Sequence, residues 1–157
     1  MIESGDDIAA REVLGTRLGY LLKHAQMRLA EYAGPALARF GLDARELAVL
    51  AVLAADRPLS QLEAARRLGV DRTTMVALVD ALEGKGLVER RRSEEDRRRN
   101  VVELTEYGTQ VRADAEVARE AAERAFLAPL DEKETAGLMK ALRVLATEAR
   151  AEAPPHP

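Results

Sequence analysis

Between residues 60 and 108 the chain sets two short helical segments back to back and follows them with two strand-like runs joined by an arginine-dense loop. Few folds accommodate that order. The first segment, SQLEAARRLGV (60–70), opens on Ser60, whose hydroxyl suits a helix N-cap. It carries Leu62, Ala65 and Leu68 at helical spacing and stops at Gly69, which can take the left-handed conformation that ends a helix. The second segment, DRTTMVALVDALEGKG (71–86), begins at once with Asp71 as N-cap and puts Met75, Leu78, Val79 and Leu82 on one apolar face. At about 100° per residue, Thr73, Ala77 and Asp80 fall opposite that face, flanked by Thr74 and Val76, and look outward. Residues 87–92 (LVERRR) and 100–104 (NVVEL) then read as the strands of a hairpin whose tip is SEEDRRR, 93–99.

Two abutting helices followed by a charged hairpin are the parts of a winged helix-turn-helix. In that arrangement the N-terminal part of the second helix enters the major groove of DNA, and the hairpin lies over the adjacent backbone and minor groove. Arginine is the side chain best suited to a narrow, electronegative minor groove. The expected DNA contacts are therefore Arg72, Thr73, Thr74, Val76 and Ala77 on the helix, with Arg90, Arg92, Arg97, Arg98 and Arg99 on the hairpin. Val76, Ala77 and the threonine methyls can meet a thymine methyl, while Arg72 and the threonine hydroxyls serve polar contacts. Taken alone, the tip also reads as a solvated loop.

The run LGVDRTTMVALVDALEGKGLVER followed by EDRRRNVVELTEYG resembles the multiple antibiotic resistance regulator (MarR) family of bacterial transcription factors. The family's wing signature is an Asp, any residue, an Arg, a short strand ending in Leu-Thr, and a Gly three residues on. Here it is Asp96, Arg97, Arg98, Val101 to Leu104, Thr105 and Gly108. The resemblance implies that Arg98 enters the minor groove while Asp96 holds it in place. It also implies a mostly α fold with a small β-hairpin wing, flanked by N- and C-terminal dimerisation helices. The recognition helix departs from the family at Val76 and Ala77, where relatives often have a polar residue followed by a basic one.

Charge along the chain agrees with a DNA-reading head. The net charge is −3, yet residues 66–99 hold ten basic and seven acidic side chains, so a +3 segment sits on a −6 remainder. Such segregation binds phosphates locally while the body repels them. The chain lacks cysteine, which removes disulfides, thiolate metal sites and thiol redox sensing. Aromatic residues make up 3% and apolar ones 47%, so the core is aliphatic and rich in alanine. No apolar run approaches the roughly 20 residues of a membrane span, and the N-terminus lacks a signal-peptide pattern, so a cytoplasmic protein is expected. Two histidines, no glycine-rich phosphate loop and no nucleophile beside a base give no basis for catalysis, a bound metal or a cofactor.

The remaining segments frame a winged core over 43–105, within a single domain spanning 1–157. A long helix is expected over 8–33, with Leu14, Leu18, Leu21, Leu22, Ala25 and Leu29 as its stripe, and Pro35 starts a separate short turn or helix through Phe40 that Gly41 ends. Asp43 with Glu46 has the spacing of a capping box for a helix that buries Leu47, Leu50 and Leu53. Thr105 caps a helix bearing Val111, Ala115, Ala118, Ala122 and Phe126, and Pro129 separates it from a last helix striped by Leu138, Leu142, Leu145 and Ala149. Residues 151–157 read as a disordered tail. The apolar stripes of 8–33 and 106–150 exceed what a core of this size covers, so a partner is implied. The resemblance to the MarR family implies that these helices interlock with a second copy, giving a homodimer on a palindromic operator of double-stranded DNA.

Tyr20, His24 and Met27 share one helical face and offer a site for a small aromatic or phenolic effector, as the family's cleft between dimerisation helices and winged core implies; the other reading, which the residue types favour, is that they are ordinary interface or core residues. The function read from these features is a DNA-binding transcriptional regulator that represses as a homodimer and is released by such a ligand. The alternative is a winged-helix protein-protein adaptor. It would expose the face of Thr73, Ala77 and Asp80 to a partner, and would leave six hairpin arginines without a task.

Overall fold

The computed structural model describes residues 14–54, 57–96, 98 and 100–148. They form α1 (Leu18–Ala38), α2 (Ala44–Leu53), α3 (Gln61–Leu68), α4 (Arg72–Gly84), β1 (Val88–Arg92), β2 (Asn100–Leu104), α5 (Glu106–Leu127) and α6 (Glu132–Glu148). Local chemistry starts the helices where side-chain oxygens reach the first free amides. Asp43 and Glu46 form a reciprocal box, with Glu46 N–H donating to Asp43 Oδ1 at 2.8 Å and Asp43 N–H donating to Glu46 Oε2 at 3.0 Å. Ser60 and Glu63 repeat it. Asp71 and Thr105 cap α4 and α5 through the amides of Thr74 and Gly108. Gly69, at φ 68°, ends α3 in the left-handed conformation.

Three expectations are corrected. The break at Pro35 is absent, because α1 runs through it to Ala38. The proline stands in the last turn, where little helix follows, and Leu37, 1% exposed, anchors that turn in the core. Gly41, at φ 68°, makes the reversal instead. The other end of α1 is set by Arg17, whose extended backbone places the start at Leu18; residues 8–13 and Ala149 lie outside the described residues, as does the tail. In α3, Leu62 points outward at 48% exposure, and Ala64 and Ala65 are buried in its stead. The two alanines let the short helix approach its neighbours at close range.

A single aliphatic cluster holds the winged core. Leu47, Val49, Leu50 and Leu53 of α2 meet Ala64 and Ala65 of α3, Met75, Val79 and Leu82 of α4, and Val88 and Val102 of the hairpin. Leu37, Val111 and Ala115 extend the cluster onto α1 and α5. Each buried Leu, Val or Met contributes about 1.5–3 kcal/mol relative to an exposed one. A buried charge is included: Glu46, 6% exposed, takes Lys85 Nζ at 2.5 Å, and the same ammonium donates to Gly41 O at 2.7 Å. This pair ties the end of α4 to the start of α2.

The hairpin pairs antiparallel from Val88 opposite Leu104 to Arg92 opposite Asn100. Val102 N–H donates outward to Leu59 O at 2.8 Å, so β2 is also held by the segment leading into α3. Thr105 and Gly108 join the wing to α5. Thr105 Oγ1 donates to Gly86 O at 2.7 Å, and its N–H donates to Leu87 O at 3.1 Å. A Cβ on Gly108 would lie 1.8 Å from that same Leu87 oxygen. The Thr-x-x-Gly element of the wing signature thus has a steric cause. Packing between α1 and α5 includes Tyr32 edge-on to Phe126 at 6.1 Å, whereas α6 makes no more than glancing contact with the other elements.

Candidate nucleic-acid interface

The outward face of α4 begins with a fully committed cap. The Asp71 carboxylate accepts from Thr74 Oγ1 at 2.6 Å and from Thr74 N–H at 2.8 Å, and these bonds, the hydroxyl's first, hold its carboxyl below the usual range. Thr74 therefore turns its hydroxyl to the cap and is half-buried. Arg72, Thr73 and Ala77 are exposed, and Val76 is half-buried between them. Arg72 forms no ion pair with a described residue, and neither does Arg67 at the end of α3, an exposed cation that sequence reasoning did not single out.

Within the wing the arginines divide into two groups. Arg92 and Arg98 are exposed and make no ion pair with a described residue. Arg90 and Arg91 are half-buried and engaged: Arg91 Nη2 reaches Glu103 Oε1 at 2.6 Å across the hairpin, and Arg90 lies between Asp80 and Glu83 of α4. Asp96 Oδ1 accepts from the backbone N–H of Arg98 at 3.0 Å, and Asp96 N–H donates to Ser93 Oγ at 3.3 Å. The aspartate holds Arg98 by its backbone, in a turn that presents the guanidinium to solvent. Arg97 and Arg99 lie outside the described residues. Free cations thus stand on the recognition helix and at the wing tip, while the wing base is internally neutralised.

A model of the MarR family matches residues 40–99, from the start of α2 to the wing. A Thauera aromatica protein described as a transcriptional regulatory protein for the hcr operon is 33% identical over 129 residues, 82% of this chain and 78% of that protein. The chain belongs to the MarR family. Its structure is similar to that of the transcriptional repressor CouR bound to a 23-mer DNA duplex, with TM-score 0.80 and 34% identity over 87% of this chain and 96% of that one. It is also similar to CouR from Rhodococcus jostii RHA1 bound to p-coumaroyl-CoA, with TM-score 0.76 and 28% identity over 88% of this chain and 98% of that one. The protein is a MarR-family transcriptional regulator with a winged-helix DNA-binding fold.

A second feature of this MarR-family chain is a groove of about 450 Å³ between α1, α2 and α5. Leu29, Ala33, Leu37, Leu47 and Ala48 line its apolar side, and Glu116, Arg119 and Glu123 form one wall. Arg119 Nη1 reaches Glu123 at 2.5 Å and its Nε reaches Glu116 at 2.6 Å; the hydrogen bonds it donates to these two carboxylates hold the guanidinium firmly protonated. Tyr20, His24 and Met27 do not line this groove. Their rings do meet, Tyr20 to His24 at 4.1 Å with a 36° tilt, but His24 is exposed and Met27 is 51% exposed. Counting along α1, they lie roughly 130° round the helix from the groove-lining residues. No cluster of metal-ligating side chains occurs among the described residues, and no described helix is long and apolar enough to cross a membrane.

Proposed function

We propose that this regulator works in the cytoplasm as a homodimeric repressor on a palindromic operator, with residues 43–105 as the DNA-binding core and the terminal helices as the dimer interface. The observation that carries the proposal is the pairing of two surfaces. One presents Arg72, Thr73, Arg92 and Arg98, free of ion pairs with any described residue, in the geometry that addresses a major groove and the neighbouring minor groove. The other is apolar and uncovered: Leu18, Leu21 and Leu22 of α1, and Leu138, Met139, Leu142 and Leu145 of α6, are all more than a third exposed. So much uncovered apolar surface on two helices marks an association site. Two copies joined there bring two recognition helices to a twofold-symmetric sequence.

Control is assigned to the groove between α1, α2 and α5, since an occupant touches the dimerisation helices and the winged core together. Its aliphatic lining suits the flat or chain-like body of an amphiphilic acyl or aromatic ligand, and a CoA thioester ligand in CouR supports that class. A ligand that releases DNA tenfold must bind the DNA-incompetent form about 1.4 kcal/mol more tightly. Selection of bound duplexes from random DNA tests the reading. The expected product is an inverted repeat with half-site centres about 10 base pairs apart; a pool with no enriched sequence would overturn it.

A further inference from the structure

We infer that Arg90 is a positioning residue, which fixes the wing against the recognition helix through Asp80 and Glu83 and does not itself touch DNA; this rests on the DNA-binding reading above. Asp80 and Glu83 stand three residues apart on α4, and the Arg90 guanidinium spans them, one terminal nitrogen to Asp80 Oδ1 and the other to Glu83 Oε2. The backbone joins in as well. Arg90 sits opposite Val102 in the hairpin, and Val102 turns its N–H away from β1 to Leu59. A pair of that kind exchanges no ladder bonds, so the Arg90 amide also points away from its partner strand, at the free edge of β1. Glu83 Oε1 accepts it at 3.2 Å.

The wing base is therefore gripped from both sides, with β2 held by the Leu59 segment and β1 held by α4. Two consequences follow from this geometry. First, the distance from recognition helix to wing tip is set before DNA arrives, so Arg98 needs no search to find the minor groove once α4 is seated. Second, Asp80 is exposed on the DNA-facing side of α4, and Arg90 cancels a charge that would otherwise oppose phosphates. To contact a phosphate, Arg90 would have to leave both carboxylates bare next to the polyanion. The Arg90 side chain is 27% exposed, less than that of either acid.

The test uses full-length protein, a duplex selected by the wild type, and a scrambled duplex, each titrated over a salt series. Arg90→Gln is expected to lower affinity for the selected duplex about tenfold, or about 1.4 kcal/mol, with the salt slope unchanged; Arg98→Ala is expected to reduce that slope by about one. The sharper variant is Asp80→Ala/Glu83→Ala, which removes two acids from a DNA-facing helix. Simple electrostatics makes it bind more tightly everywhere, whereas loss of positioning weakens binding to the selected duplex about tenfold while binding to the scrambled one rises. Circular dichroism and an unfolding midpoint near wild type establish that each variant is folded, and the single Arg90→Gln change serves if the double does not fold. A slope for Arg90→Gln reduced like that of Arg98→Ala, or a double variant as tight as wild type on the selected duplex, would overturn the inference. Wild-type protein that fails to prefer the selected duplex would overturn the DNA-binding reading itself.

Discussion

Replacing Gly108 with alanine should break the joint between the wing and α5. Within a helix, Gly→Ala normally stabilises by about 0.5–1 kcal/mol, since alanine loses less backbone freedom on folding. At Gly108 the new Cβ would stand 1.8 Å from Leu87 O and 2.7 Å from Leu87 C, both backbone atoms fixed by the start of β1. Ordinary contact begins near 3.4 Å, so either α5 or the strand must retreat by more than an ångström. That displacement strains the Thr105 cap, which bonds both Gly86 O and Leu87 O. Overpacking of this kind costs about 1–3 kcal/mol and more where backbone must move, so a net loss of about 2–3 kcal/mol is expected. Gly84→Ala is the matched control, a helical glycine with nothing within 4 Å of the added methyl. Urea unfolding at one fixed protein concentration measures both variants. Gly84→Ala should match or exceed wild type while Gly108→Ala falls well below it. A Gly108→Ala midpoint at or above that of wild type would refute the steric argument.

Asp96→Ala frees the turn that presents Arg98; operator affinity should fall with little change in salt slope, measurable by fluorescence anisotropy across a salt series. Thr73→Ala should shift which base is preferred at one position in each half-site, by about 1–3 kcal/mol, read by competition among duplex variants. Glu63 carries an acid-stability signature. The Ser60 amide, the Arg57 guanidinium and the Ser60 hydroxyl hold its carboxyl down to about 2, whereas in the unfolded chain it returns to about 4.3. A lowered folded value contributes stability above about pH 4.3 that disappears as pH falls towards 2. Glu63→Gln should therefore flatten the unfolding midpoint across that window, and parallel pH curves for the two proteins would exclude the contribution.

Much of the winged core was legible in the sequence because its decisive interactions are local. Ser60, Asp71 and Thr105 each cap a helix with an atom three residues from its partner, and the 2-residue and 3.6-residue periods are written in adjacent positions. Orientation and long-range pairing were not legible. Leu62 and Ala65 both fit a helical stripe, and only packing against α2 and α4 buries the alanine and leaves the leucine out. Arg90 looked like its neighbours in the run 90–92, and its distinction comes from carboxylates seven and ten residues away in another element. The groove is built of leucines and alanines from separate helices, residue types that advertise nothing, whereas the conspicuous Tyr20 and His24 stack on each other on another face of α1.

The most direct test of the dimeric repressor is sedimentation velocity of the full chain, alone at micromolar concentration and then with a selected duplex, joined to hydroxyl-radical footprinting of the complex. The expected result is a dimer in both states, two protomers per duplex, and protection symmetric about the palindrome centre with minor-groove windows outside the half-sites where Arg98 enters. A stable folded monomer that binds one protomer per duplex and protects one side of the site only would contradict it.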